Sequence, residues 1–262
     1  MENNNVRLIR SGNSVYFSNS GFDYELEPGV VYTPDVDKWS DEIKLTVNPN
    51  ISIPENYYET NSDRKFINKV LNYYNGCENN TTGVLLAGVK GTGKTIMAKK
   101  IALESKLPII IIDKSLRPSW LKKLFNKFSD TGVCVIFDEF DKLGEDYDDD
   151  YILQVFDGIS GNGKKLVLLT CNNTDNVNEF MLDRCSRIRY YREFEEMSVS
   201  MVESILNDRL NDKTEVKAVC DFINKNFGLI SFDNVAAFAE EVNNNPKDTF
   251  EELFNDMNIS SK

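Results

Sequence analysis

A glycine-rich segment in the first half of the chain constrains the fold more than any other feature. Residues 88–95 read Gly-Val-Lys-Gly-Thr-Gly-Lys-Thr and fit the spacing G-x-x-x-x-G-K-[ST]. The apolar run 83–87 precedes this segment, and a helical pattern over residues 96–107 follows it. A buried strand, a glycine turn and a helix in that order are typical of a phosphate site at a helix N-terminus. This context disfavours the alternative of a chance glycine loop before a helix.

The residue types of this segment suit a nucleotide site. Glycines let successive backbone N–H groups curl around a β-phosphate. A lysine at the position of Lys94 reaches the β- and γ-phosphates, and the Thr95 hydroxyl is predicted to bind Mg²⁺. The predicted nucleotide-binding residues are Gly88, Gly91, Thr92, Gly93, Lys94 and Thr95. The segment therefore predicts ATP and Mg²⁺ as cofactors.

Two acidic residues follow another apolar run. Residues 133–137 are apolar, and Asp138 and Glu139 come directly after them. A loop of this kind needs an acid at the end of a nearby buried strand to hold Mg²⁺. We therefore predict that Asp138 holds the metal ion through water and that Glu139 polarises the attacking water as general base. The alternative, a strand end followed by solvated carboxylates, does not account for the loop.

Apolar runs alternate with helical patterns through the middle of the chain. The runs cover residues 83–87, 108–112, 133–137 and 166–170. Short apolar runs between helices predict a buried parallel sheet and therefore an α/β fold. Residues before about 60 alternate short β-prone runs with turns, and the chain beyond about residue 197 has helical patterns alone. The predicted domains are a β-rich N-terminal element (1–60), an α/β nucleotide-binding core (61–195) and an all-α domain (196–262).

Composition excludes several classes of protein. The chain has no histidine, and its five cysteines are far apart, which disfavours a zinc site, a disulfide framework and histidine-dependent catalysis. A net charge of −12 disfavours direct contact with nucleic acid. No apolar stretch approaches the roughly 20 residues of a membrane span, and no signal-peptide core follows Met1. We therefore expect a cytoplasmic protein without membrane contact, in the host cytoplasm if the protein is viral.

The loop and the Asp138–Glu139 pair together resemble those of the AAA+ ATPases. Residues 166–172 resemble the sensor-1 strand of that family, and the resemblance implies that Asn172 helps to position the hydrolytic water. Asn173 is the fallback for this role, and a capping asparagine is the other interpretation of Asn172. The resemblance also implies that residues 196–262 form a helical lid.

A pair of arginines extends the resemblance. Residues 182–187 resemble the second region of homology, which implies that Arg184 and Arg187 reach into a neighbouring subunit's active site. Surface arginines at a helix end are the alternative. The resemblance implies a homo-oligomeric ring, with a hexamer as one option. Residues 152–158 and 228–233 resemble the narrow AAA clade, and the abundant asparagine suits an AT-rich genome such as that of a phage.

The resemblance has limits. It covers residues 83–195 well and 196–260 loosely, and it does not cover residues 1–60. No aromatic–hydrophobic–glycine pore loop lies between Ile112 and Leu121. Trp120 could be a pore aromatic, although a packed tryptophan is the simpler interpretation. The acidic run within residues 145–150 stands where the family often has a second pore loop, and a solvated loop is its alternative.

Three functions are compatible with these features. The first is an oligomeric ATPase that remodels a protein or a protein complex, with an unknown client. The second is a DNA-replication accessory ATPase of the helicase or clamp-loader type, against which the acidic charge argues. The third is a nucleotide-dependent scaffold without turnover, which the intact set of catalytic residues disfavours.

Overall fold

The computed structural model describes most of the chain in two compact units. The described residues are 7–18, 25–36, 42–48, 51–53, 58–77, 81–112, 116, 118–128, 131–142, 164–173 and 188–262. The first unit comprises residues 1–87 with 94–193, and the second comprises residues 88–93 with 194–262. The glycine loop thus belongs to the same unit as the lid. The predicted boundaries at residues 60 and 195 stay a prediction.

The first unit is built on one mixed β-sheet. Its strands are β1 (Arg7–Ser11), β2 (Ser14–Ser18), β3 (Val31–Val36), β4 (Ile43–Asn48), β5 (Thr82–Gly88), β6 (Ile109–Ile112), β7 (Val133–Phe137), β8 (Lys165–Cys171) and β9 (Ile188–Phe194). Their order across the sheet is β1-β2-β4-β3-β6-β7-β8-β5-β9. Strands β6, β7, β8 and β5 pair in parallel, as the apolar runs predict. The predicted α/β fold is confirmed.

The register of β7 against β8 places the ends of the two strands side by side. Phe137, the last residue of β7, lies opposite Leu169, the residue before Thr170 in β8. All five residues of β7 and all seven of β8 are buried, as expected for central strands of a parallel sheet. The residues that follow these strands therefore meet at the carboxyl edge of the sheet.

The N-terminal strands extend this sheet. Strands β1, β2, β4 and β3 pair antiparallel with one another, and β3 joins β6 in parallel through Val31 and Tyr32. Tyr32 is fully buried, and its hydroxyl accepts a hydrogen bond of 3.0 Å from the Glu27 N–H. The β character predicted for this segment is present, and its strands continue the parallel part of the sheet.

Three α-helices of the first unit are α1 (Asn61–Gly76), α2 (Lys94–Glu104) and α3 (Pro118–Lys127). Helix α1 begins with a capping box, in which Thr60 accepts from the Asp63 N–H and the Asp63 carboxylate accepts from the Thr60 N–H. Trp120 in α3 is partly buried against the core, and the ammonium of Lys123 lies 3.9 Å from its ring centroid. This position supports the packed interpretation of Trp120.

The second unit is helical beyond residue 198. Its helices are α4 (Val199–Arg209), α5 (Val216–Asn226), α6 (Phe232–Asn244) and α7 (Phe250–Asp256). Aromatic rings hold them together: the Phe222 and Phe238 rings stack 5.5 Å apart, and the Phe227 and Phe254 rings lie 5.3 Å apart. Helices are thus found where the sequence beyond residue 197 predicts them. Among the helices within the described ranges, none is long and apolar enough to cross a membrane.

Candidate functional site

The glycine loop has the backbone conformation that its residue types predict. Gly88 and Gly91 have φ angles of 129° and 77°, which residues with a side chain rarely adopt. The Thr92 hydroxyl donates a hydrogen bond of 2.6 Å to the Val89 carbonyl across the turn. Within the second unit, the Gly91 carbonyl accepts a hydrogen bond of 3.2 Å from the N–H of Phe232, the first residue of α6. The loop is therefore fixed by its own turn and by the start of α6.

The loop ends in a buried lysine and a partly buried threonine. Lys94 and Thr95 are the first two residues of α2, and Lys94 is only 6% exposed. Burial lowers the pKa of the Lys94 ammonium, against the opposing effect of Cys171 and of the acids Asp141, Asp138 and Glu139. A buried cation of this kind is stabilised by an anionic ligand such as a phosphate group.

Two threonine hydroxyls hold the Asp138 carboxylate. Thr95 Oγ1 donates to Asp138 Oδ1 over 2.8 Å, and Thr170 Oγ1 donates to the same oxygen over 2.6 Å. A carboxylate beside a hydroxyl is a set of hard oxygen donors, which suits Mg²⁺ with few protein ligands and several waters. Within the described ranges, no group of three or more His, Cys, Asp or Glu side chains is arranged to hold a metal ion. Thr95 and Asp138 are the residues that fit the metal.

Glu139 has an unusual backbone conformation beside Asp138. Its φ angle is +52°, in the left-handed region, and its N–H donates to Thr170 Oγ1 over 2.9 Å. Its carboxylate is partly exposed and accepts from the Lys142 ammonium at 2.6 Å. The Asn172 amide nitrogen lies 3.5 Å from the same carboxylate oxygen, Oε1. The structure thus brings Asp138, Glu139 and Asn172 together at one edge of the sheet.

Sequence reasoning missed two residues of this cluster. The sequence indicates Thr170 only as the end of an apolar run, although a polar side chain at a buried strand end is a usable signal when two acids follow a neighbouring strand. Lys142 stands three residues after Glu139, a spacing that brings side chains together in a helical turn. Its contact depends on the short 3₁₀ turn Phe140–Lys142, which the sequence analysis did not predict.

The Lys142 ion pair leads to a prediction for turnover. Its hydrogen bond with Glu139 raises the pKa of the Lys142 ammonium, so the pair persists at neutral pH. A paired ammonium makes the carboxylate a weaker base. We expect Lys142→Gln to raise kcat of ATP hydrolysis by up to about five-fold without changing KM, because exposed ion pairs are weak. Steady-state ATPase assays test this, with Lys122→Gln as the control for loss of an exposed lysine. A fall in kcat would contradict the prediction.

Several predicted features lie outside the described residues. These are Arg184 and Arg187, the acidic run within residues 145–150, and the helical pattern over residues 152–158. The roles predicted for both arginines stay predictions. Asn173, the fallback to Asn172, lies within the described part of the chain, two residues beyond the end of β8.

Comparisons with known proteins match the segment of the chain that contains these residues. Residues 84–195 match the family model of the ATPase family associated with various cellular activities (AAA). The ATP-dependent zinc metalloprotease FtsH of Photobacterium profundum is 31% identical over 38% of this chain and 18% of its own length. FTSH 2 of Oryza sativa subsp. japonica and FtsH of Cyanidium caldarium are each 30% identical over 38% of this chain. These regions cover 18% and 20% of the two relatives, so the chain spans about a fifth of the proteins it matches.

Proposed function

We propose that this chain, which belongs to the AAA+ family of P-loop ATPases, hydrolyses ATP and uses the energy to remodel a protein or a protein complex. The observation that carries this proposal is the cluster at the carboxyl edge of the sheet. There Thr95 and Asp138 form the candidate metal site, and Glu139 and Asn172 lie beside it. These residues supply the metal ligands and the base that hydrolysis requires within one subunit, which disfavours a scaffold that binds ATP without turnover.

The residues of this cluster have separate tasks in the proposed reaction. Mg²⁺, when bound, neutralises charge on the phosphate oxygens. Lys94 supplies a positive charge to the β- and γ-phosphates, and its burial strengthens that interaction. Glu139 accepts the proton of the attacking water. Asn172, whose amide lies near the Glu139 carboxylate, orients that water.

We also propose that the active species is a homo-oligomeric ring, with a hexamer as one option. The support is the sequence pattern around Arg184 and Arg187, together with the family to which the chain belongs. An arginine that reaches a neighbouring site neutralises charge on the transferred phosphate and typically contributes about 10³-fold or more in rate. Each active site would then be incomplete in a monomer.

The client is proposed to be a protein that is not threaded through the ring. Only residues 113–117 separate β6 from α3, and they carry no aromatic–hydrophobic–glycine loop. The relatives' names describe zinc metalloproteases, but this chain has no histidine to serve in a catalytic zinc site. Its net charge of −12 disfavours DNA as the surface it grips. Remodelling of a protein complex fits these three features together.

A mixing experiment tests the shared active site. We expect specific ATPase activity to rise with protein concentration, because an oligomer must form before an arginine can act across subunits. Glu139→Gln and Arg184→Ala are each expected to be nearly inactive. A mixture of the two should regain part of the activity, because one variant supplies the base and the other supplies the arginine.

Controls separate the competing outcomes. Arg10→Ala changes an exposed arginine of β1 and should keep full activity. A mixture with no more activity than its components would argue against arginines acting between subunits. Turnover that rises several-fold with added single-stranded or primed DNA would favour the DNA-replication function, whereas turnover indifferent to DNA supports a protein client.

A further inference from the structure

One buried hydroxyl connects Asp138 and Glu139 at the carboxyl edge of the sheet. Thr170 is 1% exposed, and its side-chain oxygen lies between Asp138 and Glu139. It donates to the Asp138 carboxylate over 2.6 Å and accepts from the Glu139 backbone N–H over 2.9 Å. The same hydroxyl therefore donates one hydrogen bond to Asp138 and accepts another from the next residue, Glu139.

The position of Thr170 follows from the sheet. Phe137 pairs with Leu169 in parallel register, so the next residue of β8 stands beside the acids that follow β7. On its other side, Thr170 pairs with Leu86 of β5, the strand that leads into the glycine loop. Buried strands on both sides leave the hydroxyl no water to exchange with, so its two hydrogen bonds are retained.

The hydrogen bond to Asp138 limits where that carboxylate can point. Thr95 and Thr170 both donate to Oδ1, one from α2 and the other from β8. Two donors on the same oxygen fix the side-chain rotation more firmly than either donor alone. Hydrogen bonds to a charged acceptor are also stronger than those between neutral groups.

The hydrogen bond from Glu139 stabilises a costly backbone conformation. A residue with a Cβ is strained at a φ angle of +52°, and surrounding contacts must hold it there. The N–H of Glu139 bonded to Thr170 is one such contact. Without it, the residue could relax and carry its carboxylate away from the position it has beside Asn172.

We propose that Thr170 is a positioning residue for ATP hydrolysis, which holds the Asp138 carboxylate and the Glu139 backbone in one fixed arrangement. It acts through those two residues and does not itself contact the reacting atoms. This inference rests on the proposed ATP hydrolysis and not on the identity of the client. It therefore holds even if the proposed remodelling of a protein complex is wrong.

The same sheet offers a matched control. Thr82, the first residue of β5, is fully buried, and its hydroxyl has no hydrogen-bond partner among the described residues. Thr82→Val and Thr170→Val each replace a buried hydroxyl group by a methyl group. Only Thr170→Val removes hydrogen bonds to Asp138 and Glu139.

The test compares Thr170→Val, Thr170→Ser and Thr82→Val in the 262-residue chain. We expect Thr170→Val to lower kcat by about 10- to 100-fold, since a buried hydrogen bond to a charged group is lost. KM and ATP affinity should stay within about three-fold of wild type, because the glycine loop and Lys94 are unchanged. Thr170→Ser keeps the hydroxyl and should keep at least about a third of kcat, and Thr82→Val should match wild type.

A double mutant separates positioning from a general loss of stability. If Thr170 acts through Glu139, Thr170→Val should slow the Glu139→Gln variant much less than it slows wild type. The proposal is overturned if Thr170→Val turns over within about two-fold of wild type, or if Thr170→Ser is as slow as Thr170→Val. Should the valine variant fail to fold, Thr170→Ala replaces it, and equal kcat values for the alanine and serine variants would overturn the proposal as well.

Discussion

Replacing Glu139 by glutamine is expected to remove nearly all ATP turnover while ATP binding remains. Glutamine has the shape of glutamate and its side-chain oxygen can still accept from Lys142 and Asn172, but it cannot take a proton from water. Loss of a general base typically costs about 10²- to 10⁴-fold in rate. The side chain is 40% exposed, so little change in folding stability should accompany the change in rate.

Two measurements on the same preparation test this expectation. Steady-state hydrolysis gives kcat, and equilibrium binding of a fluorescent ATP analogue gives the affinity, which should stay within about three-fold of wild type. Glu193→Gln, an exposed glutamate of β9, is the matched control for the loss of one negative charge. Glu139 is not the base if its glutamine variant keeps more than about a tenth of wild-type kcat.

Adding one methyl group at Gly88 is expected to destabilise the fold severely. A Cβ at this position would lie 2.1 Å from the carbonyl oxygen of Phe194 and 2.9 Å from the backbone nitrogen of the same residue. The neighbour is backbone, held in part by the hydrogen bond from the Val89 N–H to that carbonyl, and cannot rotate away. A φ angle of 129° adds strain for any residue with a side chain. Overpacking and backbone strain together should cost about 3 kcal/mol or more.

Thermal unfolding followed by circular dichroism measures this loss. For a chain of this size, about 3 kcal/mol corresponds to a fall in Tm of roughly 6–12 °C. Gly12→Ala has the strained φ angle of 60° but no atom within 4 Å of the new Cβ, so it isolates the backbone strain. Gly76→Ala has neither problem and should be neutral or slightly stabilising. Equal Tm values for Gly88→Ala and Gly12→Ala would show that the close approach to Phe194 does not matter.

Local patterns were sufficient for much of the fold. The glycine loop is specified by a motif with fixed spacing between a strand and a helix. The parallel strands were predicted from short apolar runs, because a strand covered on both faces must be apolar throughout. The lid helices are predicted from the helical patterns beyond about residue 197. Each of these signals lies within a few consecutive residues, so it does not depend on contacts with distant parts of the chain.

Other features depend on residues far apart in the chain. The N-terminal β runs were visible in the sequence, but their attachment to β6 was not, because a strand carries no local mark of its partner. The grouping of the glycine loop with the lid rests on contacts of Gly88 and Gly91 with residues more than a hundred positions away. The periodicity of apolar residues does not indicate which distant residues come into contact.

The residues of the candidate site also fall into those that a local sequence pattern indicates and those that only long-range contacts bring together. The sequence by itself determined which residues are candidates: the glycines of the loop, Lys94, Thr95 and the Asp138–Glu139 pair, since the predicted chemistry requires those residue types at that spacing. Only the tertiary structure decided that Thr170 holds both acids and that Lys142 pairs with Glu139. The first contact depends on the register between two strands and the second on a short 3₁₀ turn. Both are set by packing of the whole sheet, which no single segment of the chain encodes.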